Sequence, residues 1–167
     1  MTLPPGVTPE PAGPGRESVW AYPRPAVAAP TARLLRIVHR GETVAETRRG
    51  FRVLETSHPP TYYFPPADVR AGLRPSGGRS LCEWKGQATT LDVAVSGETL
   101  RGAAWRYDDP TPAFAAMAGY VAFYAAAFDL CTVDGAPVSP QPGGFYGGWI
   151  TPDLAGPFKG VPGSRFW

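Results

Sequence analysis

The side chains that could do chemistry are concentrated in two short segments near the middle of the chain. Residues 54–69 include the Glu55 carboxylate, a histidine, two tyrosine hydroxyls and two proline pairs, and residues 82–86 add a thiol and a lysine. Proline fixes the backbone of such loops, so their side chains point in defined directions. This composition is typical of the rim of a binding pocket rather than of a plain core.

Glu55 and Lys85 are the candidate catalytic residues. Glu55 ends an apolar segment, so we expect its carboxylate to be partly desolvated, with a raised pKa that suits a general base. Lys85 precedes Gly86, which lets a ligand approach the backbone closely, and its compact ammonium suits a phosphate or a carboxylate. The alternatives are a salt bridge from Glu55 to an arginine such as Arg52 or Arg79 and a surface ion pair for Lys85.

Eight further residues are candidates for contact with a ligand. The aromatic members could stack on a planar ligand such as a base, although aromatic residues at strand spacing usually belong to a core. The alternative role for His58 is to stiffen its loop, with Ser57 capping the turn. Cys82 and Lys85 would point to opposite faces of a strand, which favours a small buried hydrophobe at Cys82. The candidates are His58, Tyr62, Tyr63, Cys82, Trp84, Trp105, Tyr107 and Tyr124.

No metal, cofactor, nucleic acid or membrane partner is predicted. His39, His58, Cys82 and Cys131 lack the spacing of a metal site. The net charge of +2 is small and the basic residues are scattered, which argues against nucleic-acid binding. The longest uncharged apolar run, residues 121–128, is too short to span a bilayer. Two cysteines and the lack of an apolar leader predict a cytoplasmic protein.

Both lysines of the chain lie in the same local pattern, an aromatic residue, lysine and glycine. The two occurrences are Trp84-Lys85-Gly86 and Phe158-Lys159-Gly160. Arginine outnumbers lysine heavily elsewhere, and the two cations are not interchangeable where a titratable ammonium is required. Chance placement on the surface is the alternative interpretation.

The elements that must position these groups are predicted to be mostly β-strands. Alternating apolar residues and turn signals indicate two hairpins, across Arg40-Gly41 and across Ser96-Gly97. One short helix is predicted after Asp109-Pro110 and before Gly119. The predicted strands span residues 33–39, 42–46, 51–55, 61–64, 88–95, 98–107, 120–124 and 128–133.

Three regions follow from composition. Residues 1–16 form a flexible proline-rich arm and residues 17–138 a single domain. Residues 139–167 form a Gly/Pro/aromatic extension, which we expect to pack on the domain or on a partner subunit because a tail so aromatic would expose a large apolar surface.

Several sequence blocks resemble one family, the domain of unknown function 427, which is also labelled nucleotidyltransferase-like. The resemblance covers about residues 17–138, and the extension is similar to one that some members carry. The blocks are Glu17-Ser18-Val19-Trp20, Tyr22-Pro23-Arg24-Pro25, Leu54-Glu55-Thr56-Ser57, Tyr63-Phe64-Pro65, Cys82-Glu83-Trp84-Lys85-Gly86, Ala104-Trp105-Arg106-Tyr107 and Gly119-Tyr120-Val121-Ala122-Phe123-Tyr124.

The resemblance implies a single antiparallel β-tent-like domain, the fold of methionine-R-sulfoxide reductases and of the ligand-binding domain of cereblon. Relatives with that fold often bind zinc between two Cys-x-x-Cys pairs, which this chain lacks. The chain also departs from the family pattern at Ala21, Glu83 and Thr90, where an acidic residue, a proline and a tyrosine are usual. Any ligand contact made by those side chains would be lost here.

Three functions are compatible with the sequence. The first is binding of a small polar or aromatic molecule in a cleft lined by Glu55, Tyr63, Lys85 and Trp105. The second is an enzyme acting on a nucleotide or phosphorylated metabolite, with Glu55 as base and Lys85 as phosphate ligand. The third is a non-catalytic module that forms a homo-oligomer through the C-terminal extension.

Overall fold

The computed structural model describes residues 2–167, and their secondary structure is mainly antiparallel β-sheet. Strands are numbered in chain order, and two of the sheets have four strands each. The first sheet contains, in spatial order, β10 (Val121–Phe123), β9 (Glu98–Arg106), β8 (Gly86–Val95) and β7 (Gly72–Cys82). The second contains β12 (Ala136–Pro137), β11 (Leu130–Val133), β3 (Leu35–His39) and β4 (Glu42–Thr47).

Three smaller sheets complete the β-structure. The three-stranded sheet contains, in spatial order, β2 (Val27–Thr31), β5 (Gly50–Leu54) and β6 (Thr61–Tyr63). Two short pairs involve the C-terminal extension: β13 (Ser139–Pro140) with β14 (Trp149–Ile150), and β1 (Glu17–Ser18) with β15 (Leu154–Ala155). The β1–β15 pair is parallel, and the other strand pairs are antiparallel.

Both predicted hairpins are present because their turns have the required backbone. Arg40 and Gly41 have φ of 49° and 78°, and Ser96 and Gly97 have φ of 52° and 72°. Two consecutive positive φ values define the tight turn that matches the twist of paired strands. The predicted mainly β class is therefore confirmed, and these turns set the register of β3–β4 and β8–β9.

The predicted helix is a 3₁₀ helix, Pro112–Met117, rather than an α-helix. Prolines on its N-terminal side and Gly119 on the other confine it, and the Ala118 N–H donates to the Ala115 carbonyl, three residues back. Three further 3₁₀ helices span Val19–Ala21, Pro66–Asp68 and Ala125–Ala127. Within residues 2–167, no helix has the length and apolar character needed to cross a membrane.

The core divides into clusters on opposite faces of the sheets. The alternation predicted for β8 is confirmed, because Leu91, Val93 and Val95 are all buried in the main cluster. Successive residues of a strand point to opposite faces. Tyr62 accordingly lies in the main cluster, whereas Tyr63 lies in a second cluster with Tyr107 and Phe114.

An ion pair joins the N-terminal strand β1 to the three-stranded sheet. Two guanidinium nitrogens of Arg52 donate to the two carboxylate oxygens of Glu17, at 2.7 and 3.1 Å, and the Tyr22 hydroxyl donates to the same carboxylate at 2.9 Å. The Arg52 hydrogen bonds lower the pKa of Glu17 below its usual 4.5, assisted by Tyr22 and opposed by burial. The carboxylate form is therefore the one that stabilises the fold.

This pair predicts a contribution to acid sensitivity. The native pKa of Glu17 is lower than its unfolded value, so the stabilisation is present above pH 4.5 and is lost as pH falls through the native pKa. In Glu17→Gln, we expect the free energy of unfolding to be lower by about 1 kcal/mol at pH 7 and to fall less steeply below pH 4.5. Urea unfolding between pH 3 and 7 measures this. Glu42→Gln, at an exposed position, is the control and should keep the native slope.

Candidate functional site

A tight turn after β5 brings Glu55 and His58 together. The His58 N–H donates to the Glu55 carbonyl at 3.0 Å, and Ser57 has φ of 75°, the sign that the third residue of a type II turn requires. A serine in this conformation is unusual and marks a strained position. As a result Nε2 of His58 lies 3.0 Å from Oε2 of Glu55, with both side chains largely buried. His58 thus contacts the predicted carboxylate rather than only stiffening its loop.

Main-chain contacts hold this turn in place. The Ser57 N–H donates to the Val19 carbonyl at 3.1 Å, and the Ser57 carbonyl accepts from the Lys159 N–H at 2.9 Å. The Ser57 hydroxyl does not cap the turn as predicted. Within residues 2–167 this buried oxygen has no hydrogen-bond partner. The anchor is therefore the backbone of Ser57, and one of its two partners belongs to the C-terminal extension.

The extension also contacts His58 directly. Nε2 of Gln141 lies 3.0 Å from Nδ1 of His58, and the ring of Tyr146 packs edge-on against the imidazole with centroids 4.8 Å apart. Lys159 places its ammonium 5.7 Å from the centroid of the Tyr146 ring. The extension therefore forms one wall of the site around Glu55 and His58.

Three cations interact electrostatically with the carboxylate of Glu55: Arg24, Lys85 and Lys159. Arg24 donates to the Thr56 carbonyl at 3.2 Å, and Lys159 is bound through its backbone to the same turn. Lys85 lies over the ring of Tyr107, with its ammonium 5.7 Å from the centroid. Within residues 2–167, none of the three cations has an Asp or Glu side-chain oxygen within 4.0 Å. The carbonyl oxygen of Trp167 accepts from Lys159 at 3.1 Å and from Arg24 at 3.3 Å, so three cations share the Glu55 carboxylate and this one oxygen.

The pKa of Glu55 moves in the direction opposite to the sequence-based expectation. Burial raises the pKa, as predicted, but the contact with His58 and the charges of Lys85 and Arg24 outweigh it and lower the pKa below 4.5. Burial lowers the pKa of Lys159, while the Glu55 charge raises it. Glu55 is therefore an ionised carboxylate at neutral pH and a weaker base than expected.

Lys85 lies in the turn between β7 and β8, outside both strands. The argument from strand alternation therefore does not apply to Cys82 and Lys85, because β7 ends at Cys82. The turn is fixed by Thr111, whose N–H donates to the Lys85 carbonyl at 3.0 Å and whose hydroxyl donates to the Trp84 carbonyl at 2.6 Å. Cys82 packs against the second core cluster but is only partly buried, rather than buried as expected.

Most of the other aromatic candidates lie near one another in or beside the second core cluster. Trp105 packs against Tyr124 with centroids 4.5 Å apart, and Tyr63 lies 6.5 Å from Trp105 and 6.4 Å from Tyr107. Trp84 packs against the same cluster. The link between this aromatic cluster and the site is Lys85, whose ammonium lies over the Tyr107 ring.

Two tyrosines do not line an open cleft. Tyr62 packs against Trp149 in the main core, with centroids 5.5 Å apart, away from the other aromatic candidates. Tyr63 is 1% exposed, and in the described part of the chain its hydroxyl has no hydrogen-bond partner. Burial raises the pKa of Tyr63, while the nearby Trp105 indole lowers it. Both tyrosines, expected to contact a ligand, are therefore buried in the core, Tyr62 in the main cluster and Tyr63 in the second.

The cysteines and histidines are not grouped together in residues 2–167. In the part of the chain that the structure describes, no three His, Cys, Asp or Glu side chains are grouped to hold a metal ion. Cys131 lies in the main core, where burial raises the pKa of its thiol to about 12. At neutral pH this thiol is therefore in its protonated, weakly nucleophilic form.

An open cavity adjoins the Glu55 turn. Its volume is about 420 Å³, and its lining includes Arg24, Thr56, Trp20 and Trp167. A larger groove of about 680 Å³ lies elsewhere, around Glu98, and its lining includes none of the candidate residues. We assign the candidate site to the Glu55 turn because the charged and aromatic groups converge there.

Sequence reasoning missed the contributions of Arg24, Gln141 and Tyr146. The repeated aromatic-Lys-Gly pattern did indicate Lys159, although its backbone contact with Ser57 follows only from the fold. No local signal indicates Gln141, because its contact with His58 joins residues 83 positions apart.

The fold and the site define a small antiparallel β domain with a basic, aromatic-backed centre. The chain belongs to the family described as a domain of unknown function, DUF427, which matches residues 27–134. The resemblance inferred from sequence blocks is thereby confirmed. Glu55, His58 and Lys85 lie inside the match, whereas Gln141 and Lys159 lie in the extension beyond it. No curated protein matches the chain.

Proposed function

We propose that this protein binds a small anionic molecule at the Glu55 turn. The observation that carries the proposal is the excess of cations at one place. Arg24, Lys85 and Lys159 all interact electrostatically with the one carboxylate of Glu55. None of them has an Asp or Glu side-chain oxygen within 4.0 Å in residues 2–167, and the carbonyl oxygen of Trp167 accepts from both Arg24 and Lys159. Partly buried cations without a carboxylate partner are costly unless an anion compensates them.

The site also suits a ligand that donates a hydrogen bond. Glu55 is ionised, and an ionised carboxylate accepts through two oxygens. Only Oε2 of Glu55 lies against His58, at 3.0 Å. A ligand with both an anionic group and a hydroxyl or amine would satisfy the cations and the carboxylate together. Phosphorylated and carboxylated metabolites have this chemistry.

Binding is favoured over proton transfer by the pKa of Glu55. An enzyme acting on a nucleotide or phosphorylated metabolite, with Glu55 as base and Lys85 as phosphate ligand, would need a carboxylate of raised pKa for efficient proton abstraction. The contact with His58 and the nearby cations lower that pKa in spite of burial. Glu55 is therefore better suited to hold a ligand than to deprotonate one.

Lys85→Gln is expected to weaken anion binding at least tenfold. Loss of a charge-assisted hydrogen bond costs about 1.5–3 kcal/mol, and 1.4 kcal/mol corresponds to a factor of ten. Isothermal titration calorimetry with inorganic phosphate, pyrophosphate and AMP measures the effect, and adenosine serves as the uncharged partner of AMP. The anions should also raise the melting temperature of the native protein by mass action, and adenosine should not.

Arg101→Gln is the matched control for this experiment. It removes the same charge from an exposed position on β9. We expect its affinity for each anion to stay within about twofold of the native value. If both variants lost anion affinity equally, the binding would be nonspecific attraction to a basic surface. If none of the anions bound the native protein, the proposal would be rejected.

A further inference from the structure

Gln141 has an amide whose orientation is fixed by the backbone around it. Its Oε1 accepts from the Gly148 N–H at 3.1 Å, and its Nε2 donates to the Lys159 carbonyl at 2.9 Å. A flipped amide would place two donors face to face at Gly148 and two acceptors face to face at Lys159. The side chain is buried, so neither clash could be relieved by water.

The orientation of the Gln141 amide determines whether Nδ1 of His58 meets a hydrogen-bond donor or an acceptor. The remaining N–H of the Gln141 amide points to Nδ1 of His58, 3.0 Å away. An amide nitrogen is only a donor, so Nδ1 must accept. In the neutral imidazole the other ring nitrogen then carries the proton. That nitrogen, Nε2, is the atom 3.0 Å from the Glu55 carboxylate.

We propose that Gln141 is a positioning residue that fixes His58 in the tautomer with its proton on Nε2. Through Gln141, the C-terminal extension therefore determines which atoms of the site can accept a proton or a hydrogen bond. Nδ1 is occupied by Gln141, and Nε2 faces Glu55 as a donor. The carboxylate of Glu55 is left as the acceptor for a ligand. Because the argument uses only contacts within the protein, it holds for the ligand-free state and independently of the proposed anion binding.

Two features support a role beyond packing. Gln141 uses both amide hydrogens and its oxygen on three separate partners, which is more than filling a space requires. Tyr146, from the same extension, packs edge-on against the imidazole and restricts its rotation. Both residues lie outside the part of the chain that matches the family. Tautomer control is therefore a property that the extension adds to the domain.

The test is the ring nitrogen spectrum of the ligand-free protein labelled with ¹⁵N-histidine. The chain has two histidines, so His39 serves as an internal reference in every sample. In the native protein at a pH where His58 is neutral, we expect its Nε2–H tautomer to predominate over the Nδ1–H tautomer. A native spectrum dominated by the Nδ1–H tautomer would overturn the proposal, and this measurement needs no variant.

Variants of Gln141 then test whether it is the cause. In Gln141→Leu, the ratio of Nε2–H to Nδ1–H should fall about five- to tenfold, since one neutral hydrogen bond is lost. In Gln141→Glu, whose carboxylate accepts, Nδ1 should carry a proton. The His39 signals should not move in either variant. A folded Gln141→Leu protein with the native tautomer ratio at His58 would assign Gln141 to packing alone.

Discussion

Trp149→Ala is expected to lower the free energy of unfolding by about 3–5 kcal/mol, the range for truncating a large aromatic residue in a core. Trp149 belongs to the C-terminal extension, yet it is 0% exposed and lies within the main core. Its ring packs against Tyr62 and Phe64, with centroids 5.5 and 6.0 Å away, and its indole N–H donates to the Phe123 carbonyl at 3.0 Å. The substitution removes these contacts and leaves a buried carbonyl without its donor.

Guanidinium chloride unfolding measures this effect, with Phe166→Ala as the control from the same extension. Phe166 is 87% exposed, so its truncation should change the free energy of unfolding by less than about 0.5 kcal/mol. A loss below about 1 kcal/mol in Trp149→Ala would mean that the extension is not integral to the core. The same result would mean that Trp149 does not hold the segment carrying Gln141 and Lys159 against the site, because Trp149 lies between these two residues in the chain.

The parts of the fold that could be predicted from sequence are those whose signals lie within a few neighbouring residues. The turns at Arg40-Gly41 and Ser96-Gly97 carry their own conformational preference, and both hairpins formed as predicted. Strand β7, rich in glycine, serine and arginine, has little intrinsic β propensity and was not predicted. It is a strand because it pairs along most of β8, with a shift of register between Pro75 and Arg79. Tertiary pairing of this kind leaves no local pattern in the sequence.

The candidate site shows the same limit. Glu55 and Lys85 could be selected from residue type and flanking residues, but the direction of the pKa shift at Glu55 could not. Burial follows from local hydrophobicity. The largest opposing effect is the contact with His58, which depends on the positive φ of Ser57, and the charges of Arg24 and Lys85 come from segments about 30 residues away on either side of Glu55. The roles of Arg24 and Gln141 likewise depend on which distant segments meet. Chemistry at a site made by long-range contacts is therefore visible only once the topology is known.

Gly160→Ala is the second substitution with a large expected effect, because two costs coincide at this position. Gly160 has φ of 117°, a conformation that residues with a Cβ rarely adopt. A Cβ there would lie 2.0 Å from the carbonyl oxygen of Pro142, a backbone atom that cannot move aside without displacing its neighbours. Backbone strain and overpacking together predict a loss of about 2–5 kcal/mol in the free energy of unfolding.

Gly163→Ala separates the two costs. Gly163 has φ of 85°, but no atom would lie within 4 Å of an added Cβ, so only the backbone strain of about 1–2 kcal/mol applies. The larger loss in Gly160→Ala then measures the collision with Pro142. Because Pro142 and Gly160 each adjoin a partner in the Gln141–Lys159 hydrogen bond, the collision should also disturb the tautomer of His58. A Gly160→Ala protein as stable as Gly163→Ala, with an unchanged His58 spectrum, would contradict the close packing that aligns Gln141. If instead Gly160→Ala and Gly163→Ala lost equal stability and the His58 spectrum of Gly160→Ala changed, the substitution would have disturbed only the alignment of the Gln141 amide. The tautomer ratio of His58 depends on the direction of that one amide, whereas the free energy of unfolding depends on the whole fold.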